Sequence, residues 1–244
     1  MKQGLFTIAE NTPLTASVAR LRLRGDTSGI TAPGQFVNIE LPSLFLRRPF
    51  SVCDWDAGSL TVLYETVGKG TALLRSLPLG MELDLLTGLG NGFDLNCSGP
   101  SPLLIGGGTG LSPLYGLARR LLEAGCEPRV ILGFRSEEEM FALRSFHALG
   151  LYPSVTTEDG SFGIRGRVTG AMDLPHSYVY ACGPTAMLRA VAERSDTGAQ
   201  LSFDVRMGCG FGACMGCTIR TATGPRRVCR DGPVFRKEEI LWDD

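Results

Sequence analysis

The sequence predicts a multidomain chain of α/β plus β class: an N-terminal antiparallel β-barrel, a Rossmann-like α/β nucleotide domain and a small cysteine-rich C-terminal domain. Three observations lead there. Short β-rich runs punctuated by Gly, Pro, Asn and Asp fill the chain from Thr7 to Leu95, strand and helix signals alternate after Gly99-Pro100, and four of the eight cysteines crowd between Cys209 and Cys229. The boundaries drawn from these signals are 1–97, 98–200 and 201–244.

In the first unit the strand runs are Ser17 to Leu23, Gln35 to Leu41, Ser59 to Glu65 and Glu82 to Leu86. Arg47-Arg48-Pro49-Phe50-Ser51 is read as lying just before a strand, and Gly68-Lys69-Gly70-Thr71 as opening a helix over Ala72 to Leu77 with Thr71 at the N-cap. In the second unit, Pro102 to Ile105 is followed by a helix at Leu114 to Glu123, then Arg129 to Phe134 by a helix at Glu137 to Leu149. Tyr178 to Ala181 and Thr185 to Arg194 repeat the alternation, which implies a parallel sheet with crossover helices. The last unit is Gly- and Cys-rich and too short to fold without a staple, which a metal centre would supply.

Composition narrows the function. A formal net charge of -1 creates no field that would gather nucleic acid or anionic lipid. The N-terminus lacks a long apolar stretch, and no later run approaches the roughly 20 apolar residues of a membrane helix, so a cytoplasmic protein binding neither membrane nor nucleic acid is expected. In a reducing compartment clustered cysteines suggest metal before disulfides.

Cys209, Cys214, Cys217 and Cys229 give C-x4-C-x2-C-x11-C, whose first part matches the plant-type [2Fe–2S] pattern. The small residues between Met207 and Cys217 let the backbone wrap closely and donate hydrogen bonds to sulfur. A structural zinc site is the alternative, although zinc usually takes two C-x2-C pairs on separate knuckles. The remaining cysteines, Cys53, Cys97, Cys126 and Cys182, read as small hydrophobes of core or strand, with Cys182 the possible exception.

Leu103-Leu104-Ile105 runs into Gly106-Gly107-Gly108-Thr109-Gly110-Leu111-Ser112-Pro113 and then a helix. That order sets free amides and a helix N-terminus against a pyrophosphate, with Pro113 suited to the first turn. It departs from G-x-G-x-x-G, and a glycine turn that binds nothing is the plain alternative. After the next strand, Arg135 and Ser136 could hold the 2′-phosphate of NADP, whereas Glu137 and Glu138 would repel it; NAD is favoured. The two histidines, His147 and His176, read as surface or helix-satisfied residues.

Taken in order, Arg48-Pro49-Phe50-Ser51, Gly68-Lys69-Gly70-Thr71, Gly108 to Pro113, Cys182-Gly183-Pro184 and the cysteine cluster resemble the ferredoxin-reductase-like flavoproteins over essentially the whole chain. The cluster segment after the nucleotide domain, followed by Cys229-Arg230-Asp231-Gly232-Pro233-Val234-Phe235, looks like that of the electron-transfer subunits of type B dihydroorotate dehydrogenases. The resemblance implies FAD, a [2Fe–2S] cluster and NAD. Arg48 would bind an FAD phosphate, Phe50 lie against the isoalloxazine with Pro49 beside it, and Ser51 approach the reactive edge. Leu63, Tyr64 and Glu65 would line the flavin, and Gly70 and Thr71 hold the pyrophosphate. Gly106, Gly107, Gly108, Thr109 and Gly110 would cradle the dinucleotide, with Cys182 and Gly183 closing over the nicotinamide. Many reductases of this kind carry Tyr where Phe50 stands, and the Cys217-to-Cys229 loop is short for the family.

The resemblance further implies a relay between the FMN of a dihydroorotate dehydrogenase catalytic subunit and NAD+, serving pyrimidine (UMP) biosynthesis in a heterotetramer of two copies of each subunit. Alone, the chain should have only NADH diaphorase activity, with no catalytic acid or base of its own. The rivals are the flavoprotein subunit of a ferredoxin:NADP oxidoreductase or sulfide dehydrogenase and, from another class, a non-catalytic redox-sensing or zinc-stapled binding module. Arg206, Arg220, Arg226, Arg227, Arg230, Arg236 and Lys237 flank the cysteines and are expected either to dock the partner or simply to solvate that face.

Overall fold

The computed structural model describes residues 1–242; Asp243 and Asp244, the end of the third expected unit, lie outside the described residues. Six strands close a barrel in the order β1-β2-β5-β4-β3-β6: β1 (Lys2–Pro13), β2 (Val18–Arg24), β3 (Phe36–Ile39), β4 (Arg48–Trp55), β5 (Ser59–Glu65) and β6 (Glu82–Leu89). Alternation along β5 shows why it closes: Leu60, Val62 and Tyr64 point into a core with Leu21, Val37 and Leu85, while Leu63 turns outwards. β1 had no strand expectation, and Arg48 to Ser51 lie within β4 rather than before it.

Helix α1 (Lys69–Ser76) follows β5, and its cap differs from the expectation. Gly68 is the N-cap and Thr71 stands one turn inside, its Oγ1 accepting the N–H groups of Val67 at 2.9 Å and Gly68 at 3.2 Å. The hydroxyl reaches back instead of forward.

Beyond residue 100 a sheet forms with parallel order β10-β9-β8-β7-β11-β12. Its strands are β7 (Leu103–Gly107), β8 (Arg129–Phe134), β9 (Ser154–Thr157), β10 (Ile164–Arg165), β11 (Val179–Gly183) and β12 (Ala199–Phe203). Strand order reverses between β7 and β11, which places a crevice at the carboxyl ends of those two strands. Helices α2 (Leu111–Glu123) and α3 (Leu143–Ala148) pack in one core and α4 (Thr185–Arg194) in another. The single helix expected over Glu137 to Leu149 is broken. A 3₁₀ turn covers Glu137–Glu139, and Ala142 at φ 63° interrupts the path before α3.

The boundary drawn at residue 200 falls inside β12. The cysteine-rich segment adds a hairpin, β13 (Thr218–Thr221) with β14 (Gly224–Arg227), a helical turn α5 (Val228–Asp231) and β15 (Val234–Arg236), which joins the sheet antiparallel to β12. Val228, Cys229 and Phe235 share a core with Val179, Leu188 and Leu201. Sheet pairing and this common core tie the segment down alongside any metal.

Barrel and sheet meet along α2. Gly116 lies so close to β4 that a Cβ there would stand 2.7 Å from the Cys53 carbonyl oxygen. Arg119 reaches Asp54 at 2.6 Å and the Trp55 carbonyl at 2.9 Å. No helix among the described residues is long and apolar enough to cross a membrane.

Candidate functional site

On the barrel, Arg47 and Arg48 have separate fates. Arg47 is 18 % exposed and bonded to Glu40 and Asp84, each at 2.7 Å, so its charge is spent inside the fold. Arg48 has no acidic partner among the described residues and lies over Gly70, where a Cβ would stand 2.8 Å from its Nε. Its guanidinium donates to the Leu46 and Arg47 carbonyls, which leaves its charge uncompensated; above a side-chain-free turn at a helix N-terminus it has the chemistry of a phosphate cradle, which fits the pyrophosphate of FAD. Phe50 and Ser51 are half-buried on the same strand, and Phe50 meets Tyr64 edge-on at 5.8 Å. Tyr64 itself is 2 % exposed, its hydroxyl donating to Asn11 Oδ1 at 2.8 Å, so its ring belongs to the barrel core. Leu63 and Glu65 alternate to the other face, and Glu65 lines the cavity described next.

That cavity, about 600 Å³, lies between barrel and sheet at the strand-order reversal. Gly107, Gly108, Thr109 and Gly110 lead through a 3₁₀ turn into α2, and all four line it; Gly106 sits behind them, packed within 3.1 Å of Leu111 for any added Cβ. Gly110 allows the loop to touch β11, since a Cβ there would come within 2.3 Å of the Cys182 carbonyl oxygen. Of the pair expected over the nicotinamide, Gly183 lines the cavity while the Cys182 side chain turns into the core. Burial pushes that thiol up to about 12, and Cys53 likewise, which marks both as inert packing residues.

The far end of the cavity corrects the expectation for Glu137 and Glu138. Its wall carries Arg135 with Glu139, whose charges meet at 3.1 Å, and Arg167 with Glu158 at 3.9 Å. Glu137 lines a different cavity, and Glu138 is exposed. Glu158 and Arg167 drew no notice in the sequence, because the glycine-rich stretch around Gly160, Gly163 and Gly166 carries only turn signals, and Asp204 follows a strand with no motif around it.

The four clustered cysteines form two pairs. Cys209 Sγ accepts the N–H groups of Ala213 at 3.2 Å and Cys214 at 3.4 Å, and Cys214 Sγ accepts those of Cys209 at 3.4 Å and Gly216 at 3.5 Å. Cys217 Sγ accepts the Cys229 N–H at 3.4 Å. Burial opposes ionisation of Cys209, yet the amides of Cys214, Phe211 and Ala213 bring it down to about 6; Cys229 is pushed up to about 12 by burial and the neighbouring Cys217. No group of three or more ligating side chains that could hold one metal ion occurs among the described residues. Two thiol pairs ringed by N–H donors suit a two-iron centre, with two thiolates per iron, better than one tetrahedral zinc ion.

The loop is held from the barrel and from behind. Asn38, on β3 beside Pro49 of β4, donates through Nδ2 to the Cys209 carbonyl at 2.8 Å. Gly210 accommodates this, since a Cβ there would lie 2.4 Å from the same nitrogen. Arg227 donates to the Gly212 carbonyl and lies near Asp231. It is therefore a brace, and the expected basic docking face loses it; Lys237, bonded to the Ser195 carbonyl at 2.7 Å, is also engaged. Cys217 and Cys229 are buried, Cys214 is exposed, and Phe211 and Met215 stand 47 % and 58 % exposed beside it.

Comparisons with known proteins agree with this geometry. The family model for the iron-sulfur cluster binding domain of dihydroorotate dehydrogenase B matches residues 204–241, and that for an oxidoreductase NAD-binding domain matches residues 104–193. The electron transfer subunit of dihydroorotate dehydrogenase B (NAD(+)) from Bacillus caldolyticus is 40% identical, with 97% of each chain covered. Its counterpart from Listeria innocua is 38% identical over 98% of this chain and 99% of its own. Among solved structures, one of the NADH-dependent reduced ferredoxin-NADP oxidoreductase, reported for flavin-based electron bifurcation, superposes with a TM-score of 0.87 at 28% identity, covering 98% of this chain and 90% of that one. The ferredoxin reductase of carbazole 1,9a-dioxygenase shares the fold at a TM-score of 0.68 and 24% identity, covering 79% and 65%.

Proposed function

Since the chain belongs to the family of electron-transfer subunits of NAD+-linked dihydroorotate dehydrogenase B, we propose that it carries electrons between a catalytic subunit that oxidises dihydroorotate and NAD+. The observation that carries this reading is the Asn38 bridge. It holds Cys209 against β3, the strand paired with Arg48 to Ser51, so the flavin cradle and the cysteine loop are neighbours in one rigid wall. A flavin supplies the chemistry that joins two-electron hydride exchange with nicotinamide to one-electron exchange with an iron-sulfur cluster.

The chain's own residues position these groups. Arg48, Gly70 and Thr71 hold the FAD pyrophosphate, and Pro49, Phe50, Ser51, Leu63, Tyr64 and Glu65 form the strand wall beside the ring. Gly107 to Gly110 with Gly183 receive the dinucleotide, Gly106 and the core packing of Cys182 set the floor behind it, and Cys209, Cys214, Cys217 and Cys229 ligate the cluster. The division into 1–97, 98–200 and 201–244 is proposed as a functional one, barrel for FAD, sheet for NAD and cysteine segment for iron, with β15 and Asp204 of the third unit completing the sheet and its cavity. Exposed Cys214, Phe211 and Met215 make this loop the face that meets an FMN-bearing catalytic subunit, in a cytoplasmic heterotetramer of two copies of each.

An anaerobic ultraviolet-visible spectrum with iron, sulfide and flavin analysis tests the cofactor set. Stoichiometric zinc without sulfide would refute it. Co-expression with the catalytic subunit and mass measurement by light scattering tests the assembly, and Phe211→Asp with Met215→Asp should abolish it while NADH oxidation by an artificial acceptor persists. The likeness to the ferredoxin-NADP oxidoreductase structure supports one second reading, in which the same relay serves another partner; a preference for NADPH would favour it.

A further inference from the structure

Asp204 is the first residue beyond β12 and lines the cavity together with Pro184 and Met187. Phe203, just before it, pairs in register with Gly183 at the end of β11, so the carboxylate stands at the carboxyl edge of the sheet. Sheet order fixes its place relative to a bound dinucleotide. Arg135 and Glu158 follow β8 and β9 on one side, Gly107 to Gly110 end β7 and lead on from it in the middle, and Gly183 ends β11 and Asp204 follows β12 on the other side. A pyrophosphate on the β7 loop at the start of α2 puts the adenosine towards β8 and β9. The nicotinamide then lies at Asp204.

This carboxylate has no hydrogen-bond or ion-pair partner among the described residues. The carboxylate is exposed at the cavity rim, yet the walls around it raise its pKa, and its charge reaches the Cys182 thiol, whose pKa burial raises first and this charge further. A carboxylate at the cavity rim without a counter-charge attracts a cation bound beside it, with solvent screening part of that attraction. The two forms of the substrate differ in that respect: the oxidised nicotinamide ring is a pyridinium cation and the reduced ring is neutral.

We infer that Asp204 is the residue by which the cavity binds the oxidised dinucleotide in preference to the reduced one. The inference rests on the reading of the cavity as the NAD site. The preference favours exchange of the neutral product for NAD+, while the overall equilibrium remains that of the free redox couples.

The test uses the holoprotein with FAD and cluster in place. Equilibrium dialysis measures the Kd of NAD+, of redox-inert, uncharged 1,4,5,6-tetrahydro-NAD, and of ADP-ribose. In Asp204→Asn the Kd for NAD+ should rise about tenfold, as expected for losing one partly screened ion pair, while the other two stay within about twofold. Asp204→Glu should keep the preference for NAD+. Equal weakening of NAD+ and tetrahydro-NAD, or no change in either, would overturn the inference. Absence of ADP-ribose binding by the wild-type protein would sink the NAD-site reading instead, and the inference with it.

Discussion

The dinucleotide cavity and the cysteine loop begin within a few residues of each other, at Asp204 and Cys209, yet they are built by opposite means. The cavity walls are the ends of strands and the start of a helix, so ladder hydrogen bonds and a packed core set their shape before any ligand arrives. The loop from Cys209 to Cys217 has no ladder of its own. It depends on N–H groups turned towards sulfur, on Asn38 and Arg227, and on the two buried cysteines. A preformed cleft suits a substrate that comes and goes, whereas a loop completed by its metal suits a resident centre near the surface.

If the contrast is right, losing a ligand should dismantle the loop and leave the cavity intact. The largest effect is expected for Cys229→Ser: cluster iron and sulfide disappear, proteolysis opens the segment around Phe211, and ADP-ribose still binds. Loss of ADP-ribose binding as well would show that the two regions share one stability. Arg48→Ala comes next. Removing a charge-assisted contact to phosphate should weaken FAD retention by about 1.5–3 kcal/mol, read as a selective fall in flavin absorbance with iron content unchanged.

Asn38→Ala addresses the tie between barrel and loop. It removes one buried hydrogen bond, worth about 1 kcal/mol, and should speed release of iron to a chelator without altering FAD content. Equal release rates would mean that the bridge does not hold the loop. The smallest effect should come from the paired arginines. Exposed ion pairs contribute about 0–1 kcal/mol, so Glu139→Gln with Glu158→Gln should raise the NADPH-to-NADH efficiency ratio only several-fold, measured as stopped-flow reduction of the flavin. An unchanged ratio would place 2′-phosphate discrimination elsewhere.

Much of this molecule was legible locally. Cysteine spacing, the glycine run after β7 and the alternation of strand and helix each depend on residues close in the chain, so they pointed to the fold class, an iron-sulfur cluster and a dinucleotide loop, whereas the flavin followed from the resemblance to a known family. Strand β1 escaped because only Phe6 and Ile8 of its twelve residues are buried in the barrel, Leu5 is exposed, and Glu10, Asn11 and Thr12 continue the strand with polar residues. Thr71 was misplaced by three positions because a hydroxyl can cap backwards or forwards, and the preceding turn decides.

What the sequence by itself determined, then, was short-range chemistry: which segments bury a face, which turns need glycine and which thiols are clustered in the chain. Only the tertiary structure decided the juxtapositions. Asn38 meets Cys209 across 171 residues, β15 returns to β12, Glu139 and Glu158 rather than Glu137 and Glu138 meet the arginines, and Asp204 stands alone at the end of a strand. The physical reason is that such pairings belong to the packing of whole elements. Each is fixed by sheet order and by the closeness of α2 to β4, which no window of neighbouring residues encodes.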